Sequence, residues 1–96
     1  MSKSVAYVKT THASKYLQQL CKHWSHRLSV TFTPEHGTVH FDHATCILDA
    51  QPDVLVTVIE SDEPAMLDRL ETVVEDHLKR FAFREELIFA WTRPAE

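Results

Sequence analysis

The stretch Leu28-Ser29-Val30-Thr31-Phe32-Thr33-Pro34-Glu35-His36-Gly37-Thr38-Val39-His40-Phe41-Asp42 decides the fold. Before the proline, Leu28, Val30 and Phe32 alternate with Ser29, Thr31 and Thr33; after the glycine, Val39 and Phe41 alternate with Thr38, His40 and Asp42. Side chains of a strand alternate between its two faces, so this pattern predicts a β-hairpin. Pro34-Glu35-His36-Gly37 is its turn, with the glycine expected to take the φ > 0 position.

Working outward, residues 45–50 predict another strand, and Gln51-Pro52-Asp53 turns the chain into Val54-Leu55-Val56-Thr57-Val58-Ile59. That run is apolar on both faces, as a central strand is. Upstream, Val5, Tyr7 and Val8 mark a first strand over residues 4–10 that leads into a helix over 13–27, where Leu17, Leu20, Cys21, Trp24 and Leu28 share one stripe. Ser61-Asp62-Glu63-Pro64 starts a second helix, with a capping side chain, early acidic residues and a proline in the first turn; it runs to about residue 80. Residues 87–91 predict a closing strand. The order is β-α-β-β-β-β-α-β: an α+β fold with two helices packed on one face of a mostly antiparallel sheet.

The chain has 96 residues, 44% of them hydrophobic and 25% charged, which suits one globular domain. A net charge of -4 opposes a phosphate backbone, so no nucleic-acid partner is expected. The first eleven residues are too polar for a signal peptide and no run is long and apolar enough for a membrane span. A cytoplasmic protein with reduced Cys21 and Cys46 is the expectation. With Gly37 the only glycine, no Gly-rich phosphate loop can form, and Gly-x-Ser-x-Gly, CxxC and HExxH are all absent.

The histidines are the candidate chemistry. At about 100° per residue, Met66, Leu70, Val73, Val74, His77 and Phe81 fall in one band, which points His77 at the sheet among apolar neighbours. Burial favours a neutral imidazole, tied to a backbone carbonyl or to Tyr7 or Tyr16, or else free to accept a proton or bind a metal. On the first helix, Cys21 lies on the apolar stripe, whereas His23 and His26 are turned roughly 160° and 140° from it. His23 and His26 are an i, i+3 pair able to share a metal or an anion, with His12, or His40 and Asp42, as candidates to complete a site. The buried-type Cys21 and Cys46 read as inert packing. At the end of the second helix, Lys79, Arg80 and Arg84 suit the helix dipole; Arg80 and Arg84 are also a candidate clamp for a carboxylate or phosphate, in competition with Glu85 and Glu86.

Tyr16-Leu17-Gln18-Gln19-Leu20-Cys21-Lys22-His23-Trp24-Ser25-His26, then Glu75-Asp76-His77-Leu78-Lys79-Arg80-Phe81-Ala82-Phe83-Arg84-Glu85-Glu86-Leu87 and Trp91, closely resemble the bacterial domain of unknown function 2218 family. The resemblance covers nearly the whole chain and singles out Cys21, His23, His26, His77, Arg80, Phe81, Phe83 and Arg84. Members often carry a Phe-Gly pair before the middle strand, where this chain has Asp42-His43-Ala44. The family's activity is unassigned; the resemblance implies an association with siderophore-handling flavoproteins, and so with iron.

Three function classes follow. The first is a non-catalytic binding or accessory module, linked to iron or siderophore handling, with His23, His26, His77, Arg80 and Arg84 facing the ligand. The second is a small enzyme in which His77 is a general base beside an Arg80/Arg84 anion clamp. The third is a homodimeric interaction module, because two helices cover only one of two apolar sheet faces.

Overall fold

β1 (Ser2–Lys9), α1 (Ala13–Trp24), β2 (Ser29–Phe32), β3 (His36–Phe41), β4 (Ala44–Ala50), β5 (Val54–Ser61) and α2 (Pro64–Phe81) follow one another along residues 2–94, the part of the chain that the computed structural model describes. The sheet order is β1-β5-β4-β3-β2 and every pairing is antiparallel. β5 lies between β1 and β4, the interior place its two apolar faces require.

Register puts one residue set on one face. Val8 lies opposite Leu55, Ala6 opposite Thr57, Cys46 opposite both Ile59 and Val39, and all seven are fully buried. Thr57 is the polar member, and its hydroxyl donates to the Ala6 carbonyl at 3.1 Å, so its burial leaves no orphaned group. α1 covers this face over β2 to β5 with Leu17, Leu20, Cys21 and Trp24; α2 covers it over β5 and β1 with Leu67, Leu70, Val74 and Leu78. The other face carries Val5, Val56, Val58 and Ile47, all partly exposed, and Tyr7, 67% exposed.

Three local expectations are corrected. Gly37 is not a positive-φ turn residue; it belongs to β3, paired with Phe32 and Leu48. A Cβ there would lie 2.7 Å from the Cys21 sulfur, so the position is glycine because α1 rests on it. The left-handed residue is His43, φ 64°, in the Asp42-His43 connection where the Phe-Gly pair is missing; its carbonyl accepts from the Ser61 hydroxyl at 2.5 Å. α1 ends at Trp24 and not at residue 27, because the N–H groups of Arg27 and Leu28 both turn back to the Trp24 carbonyl. The capping side chain at the start of α2 makes no cap hydrogen bond; instead Pro64 occupies the first turn and the Ser61 oxygen accepts from the Glu63 N–H at 3.0 Å.

The closing segment expected as a strand over residues 87–91 lies beside β1 through one two-way bridge, Val5 with Thr92, both bonds 2.8 Å. Its side chains explain why the ladder stops there. Trp91 donates its indole N–H to Glu75, Phe89 stacks on Trp91 and receives the Lys79 ammonium, and Arg93 reaches Glu71 and Asp68, so the segment is drawn onto α2.

Burial pushes the Cys46 thiol up to about 12, with the Cys21 thiol adding to it, and pushes Cys21 up to about 11. Both stay protonated in the fold while an unfolded chain ionises them near 9, so their contribution to stability is complete below pH 9 and is lost as pH rises through 11 to 12. Denaturant midpoints should therefore fall from pH 8.5 upward, and a thiol reagent should label both cysteines only on unfolding; rapid labelling of folded protein refutes this. Overpacking against Cys21 should make Gly37→Ala cost about 1–3 kcal/mol, whereas His43→Gly, which relieves a left-handed backbone, should be neutral or stabilising by up to about 1 kcal/mol. Denaturation curves of the two variants check both signs.

Candidate functional site

α1 and α2 lie side by side on the sheet, and His23, His26 and His77 meet at their seam. His77 does not point at the sheet. The buried row of α2 is Leu67, Leu70, Val74 and Leu78, and Val73, His77 and Phe81 flank it, partly exposed. The buried band of α2 is centred on Leu70 and Val74 and extends to Leu78, one position from the band expected, and this turns His77 toward α1.

There His77 meets His23. Their ring centroids are 5.4 Å apart, the His77 ring is 5.2 Å from Trp24, and His23 stands edge-on to Phe81 at 6.1 Å. Trp24, 7% exposed, is fixed from below by Phe41 at 5.1 Å. His77 Nδ1 lies 2.7 Å from the Val73 carbonyl, so that nitrogen donates and, in the neutral ring, Nε2 holds the lone pair. The backbone-carbonyl tie expected from the sequence is present; neither tyrosine takes part.

His23, Trp24 and His77 line a cleft of about 380 Å³ together with His26 and Arg27. His26 arrives by a different route from the one expected. Because α1 stops at Trp24, His26 sits in the following turn and makes no helical i, i+3 pair with His23, yet both face the same cleft. His40 alternates to the opposite sheet face from the buried Val39, and His12 opens onto another cavity, so neither completes a site with His23 and His26. Among the described residues no group of three or more His, Cys, Asp or Glu could hold a metal ion.

Arg84 belongs to a second cavity, of about 240 Å³, with His12, Lys15, Tyr16, Phe81, Phe83 and Glu85. Arg80 is exposed and does not line it, so the two arginines are not gathered into one clamp beside His77. Glu85 pairs with neither: one of its oxygens accepts from the Tyr16 hydroxyl at 2.5 Å and the Thr10 hydroxyl at 3.2 Å. Burial first, and then the Glu85 bond and charge, push the Tyr16 phenol up to about 12, which keeps it a donor. Sequence reasoning missed Trp24, Arg27, Tyr16 and Glu85 as site residues. Trp24 reads as core, and Tyr16 only as a candidate partner of His77; Arg27 is hidden inside an overlong helix; nothing local signals that Glu85 folds back onto α1.

Among the described residues no helix is long and apolar enough to cross a membrane. No curated protein matches the chain. Among solved structures it is similar to an NMR structure of PA4090 from Pseudomonas aeruginosa, with 39% identity, a TM-score of 0.82 and 96% of each chain covered. Residues 5–92 match the family described as "Uncharacterized protein conserved in bacteria (DUF2218)". The chain belongs to that family.

Proposed function

We propose that this chain is a non-catalytic, cytoplasmic binding module whose ligand occupies the His23–His77 cleft, and that the ligand is a ferric siderophore passed to or from a siderophore-handling flavoprotein. The observation that carries the reading is the meeting of His23 and His77, from two helices, at 5.4 Å over Trp24. The cleft lining has no carboxylate, thiol or hydroxyl, so apart from the imidazoles themselves it offers no nucleophile, and no carboxylate to orient a catalytic His77. That composition also argues for iron already wrapped in its ligand. Ferric iron is hard and prefers oxygen donors, whereas this lining offers only nitrogen. What it does offer is an outer surface for an anionic complex: Arg27 and the N–H groups of His23 and His26 for oxygen atoms, the His77 Nε2 lone pair for a ligand N–H or O–H, and Trp24 for a flat ring.

A second reading rests on the uncovered sheet face. Val5 opposite Val58, Val58 opposite Ile47, and Tyr7 opposite Val56 make one apolar patch. A second copy of the chain would bury it, with no effect on the cleft on the other side of the sheet.

Ligand at ten times its Kd stabilises by about 1.4 kcal/mol, which for a domain of this size raises Tm by several degrees, at roughly 4–8 °C per kcal/mol. A ferric tris-catecholate, which is anionic and carries flat rings, should give that rise, His23→Ala/His77→Ala should remove it, and His36→Ala on the opposite face should keep it. A rise with Zn²⁺ or Fe²⁺ alone would replace the proposal with a resident metal site, and no rise with any chelate would end it. For the dimer, sedimentation should show concentration-dependent association that Val58→Lys abolishes; a monomer at all concentrations rejects it.

A further inference from the structure

The second cavity holds a charge pattern that neither reading uses. Glu85 is anchored by two neutral hydroxyls, those of Tyr16 and Thr10, which orient its carboxylate without cancelling its charge. Lys15 and Arg84 line the same cavity, yet none of the ion pairs among the described residues involves Lys15, Arg84 or Glu85. A fixed negative group and two positive ones thus share a space of about 240 Å³, against the walls of Phe81 and Phe83, without satisfying one another.

That pattern discriminates among ligands. A bare anion attracted by Lys15 and Arg84 meets Glu85, and a bare amine attracted by Glu85 meets two cations. A molecule with both groups satisfies all three. We propose that this cavity binds a small zwitterion, an α-amino acid with an apolar side chain: its carboxylate meets Lys15 and Arg84, its ammonium meets Glu85, and its side chain lies on Phe81 and Phe83. The site is separate from the His23–His77 cleft and does not depend on what that cleft binds.

The test is an NMR titration of the backbone amides with L-alanine, L-leucine and L-phenylalanine, and with the two halves of leucine, 4-methylpentanoate and 3-methylbutylamine. Leucine or phenylalanine should shift amides at residues 11–16 and 81–86, and each half of leucine should bind at least about tenfold more weakly, since each forgoes one of the charge-assisted hydrogen bonds. Glu85→Gln should weaken the amino acid and strengthen 4-methylpentanoate, a reversal that loss of folding would not produce. Arg84→Ala, at an exposed position, should weaken both carboxylates, and His36→Ala, on the opposite sheet face, should change neither. No shift with any of the three amino acids, or halves that bind as well as whole leucine, overturns the proposal.

Discussion

The contact between Cys21 and Gly37 sets the geometry on which the rest depends. The chain has a single glycine, and it sits in β3 where the Cys21 sulfur leaves no room for a Cβ. α1 therefore settles deep on the sheet, and the residues on either side of Cys21 are fixed in height and rotation. Leu17 and Leu20 go into the core, Trp24 reaches down to Phe41, and His23 is left at the upper edge facing α2. A wider separation would carry His23 away from His77, and the cleft would lose the ring pair that defines it. A packing constraint in the core thus becomes a distance in the site.

Much of the fold was legible because it rests on periodicity. Alternation in residues 28–42 gave two strands, a run apolar on both faces gave the interior β5, and Pro64 marked the start of α2 to within a residue. What failed depends on contacts between distant segments. The hairpin glycine looked like a turn residue because glycine often is one, but its neighbour across space, Cys21, is sixteen residues earlier in the chain. The closing segment has the alternation of a strand, and loses the ladder to α2 because Glu71 and Glu75 stand ready to receive Arg93 and Trp91. His77 illustrates the same limit at the scale of one residue. Helical phase defines a band but not its centre, and a shift of one position moves an imidazole from the core to the seam.

The candidate set divides by chemistry once the helices are placed. His23, His26 and His77 share a cleft with a tryptophan and an arginine, and Arg84 goes with Lys15 and the Tyr16–Glu85 pair at the other end of α1. Phe81 touches both places, edge-on to His23 and lining the second cavity, so one aromatic ring separates a nitrogen-lined site from a mixed-charge one. The overall charge of -4 is a poor guide to either, because both concentrate cationic side chains along one seam of an acidic protein.

The segment after α2 ties that seam to the sheet. Ser4, fully buried under α2, donates its hydroxyl to Glu71, which also receives Arg93; Arg93 in turn reaches Asp68, one turn earlier on α2. One carboxylate is thereby held from below by the sheet and from the side by the closing segment, while Val5 and Thr92 exchange two hydrogen bonds at the same place. A strand fully zipped onto β1 would protect the sheet edge better. It would also withdraw Trp91 and Arg93 from α2, and α2 would keep only the Ser4 contact among these polar ties. The chain gives up edge pairing and gains a fixed helix, and the helix so fixed is the one that presents His77 to His23.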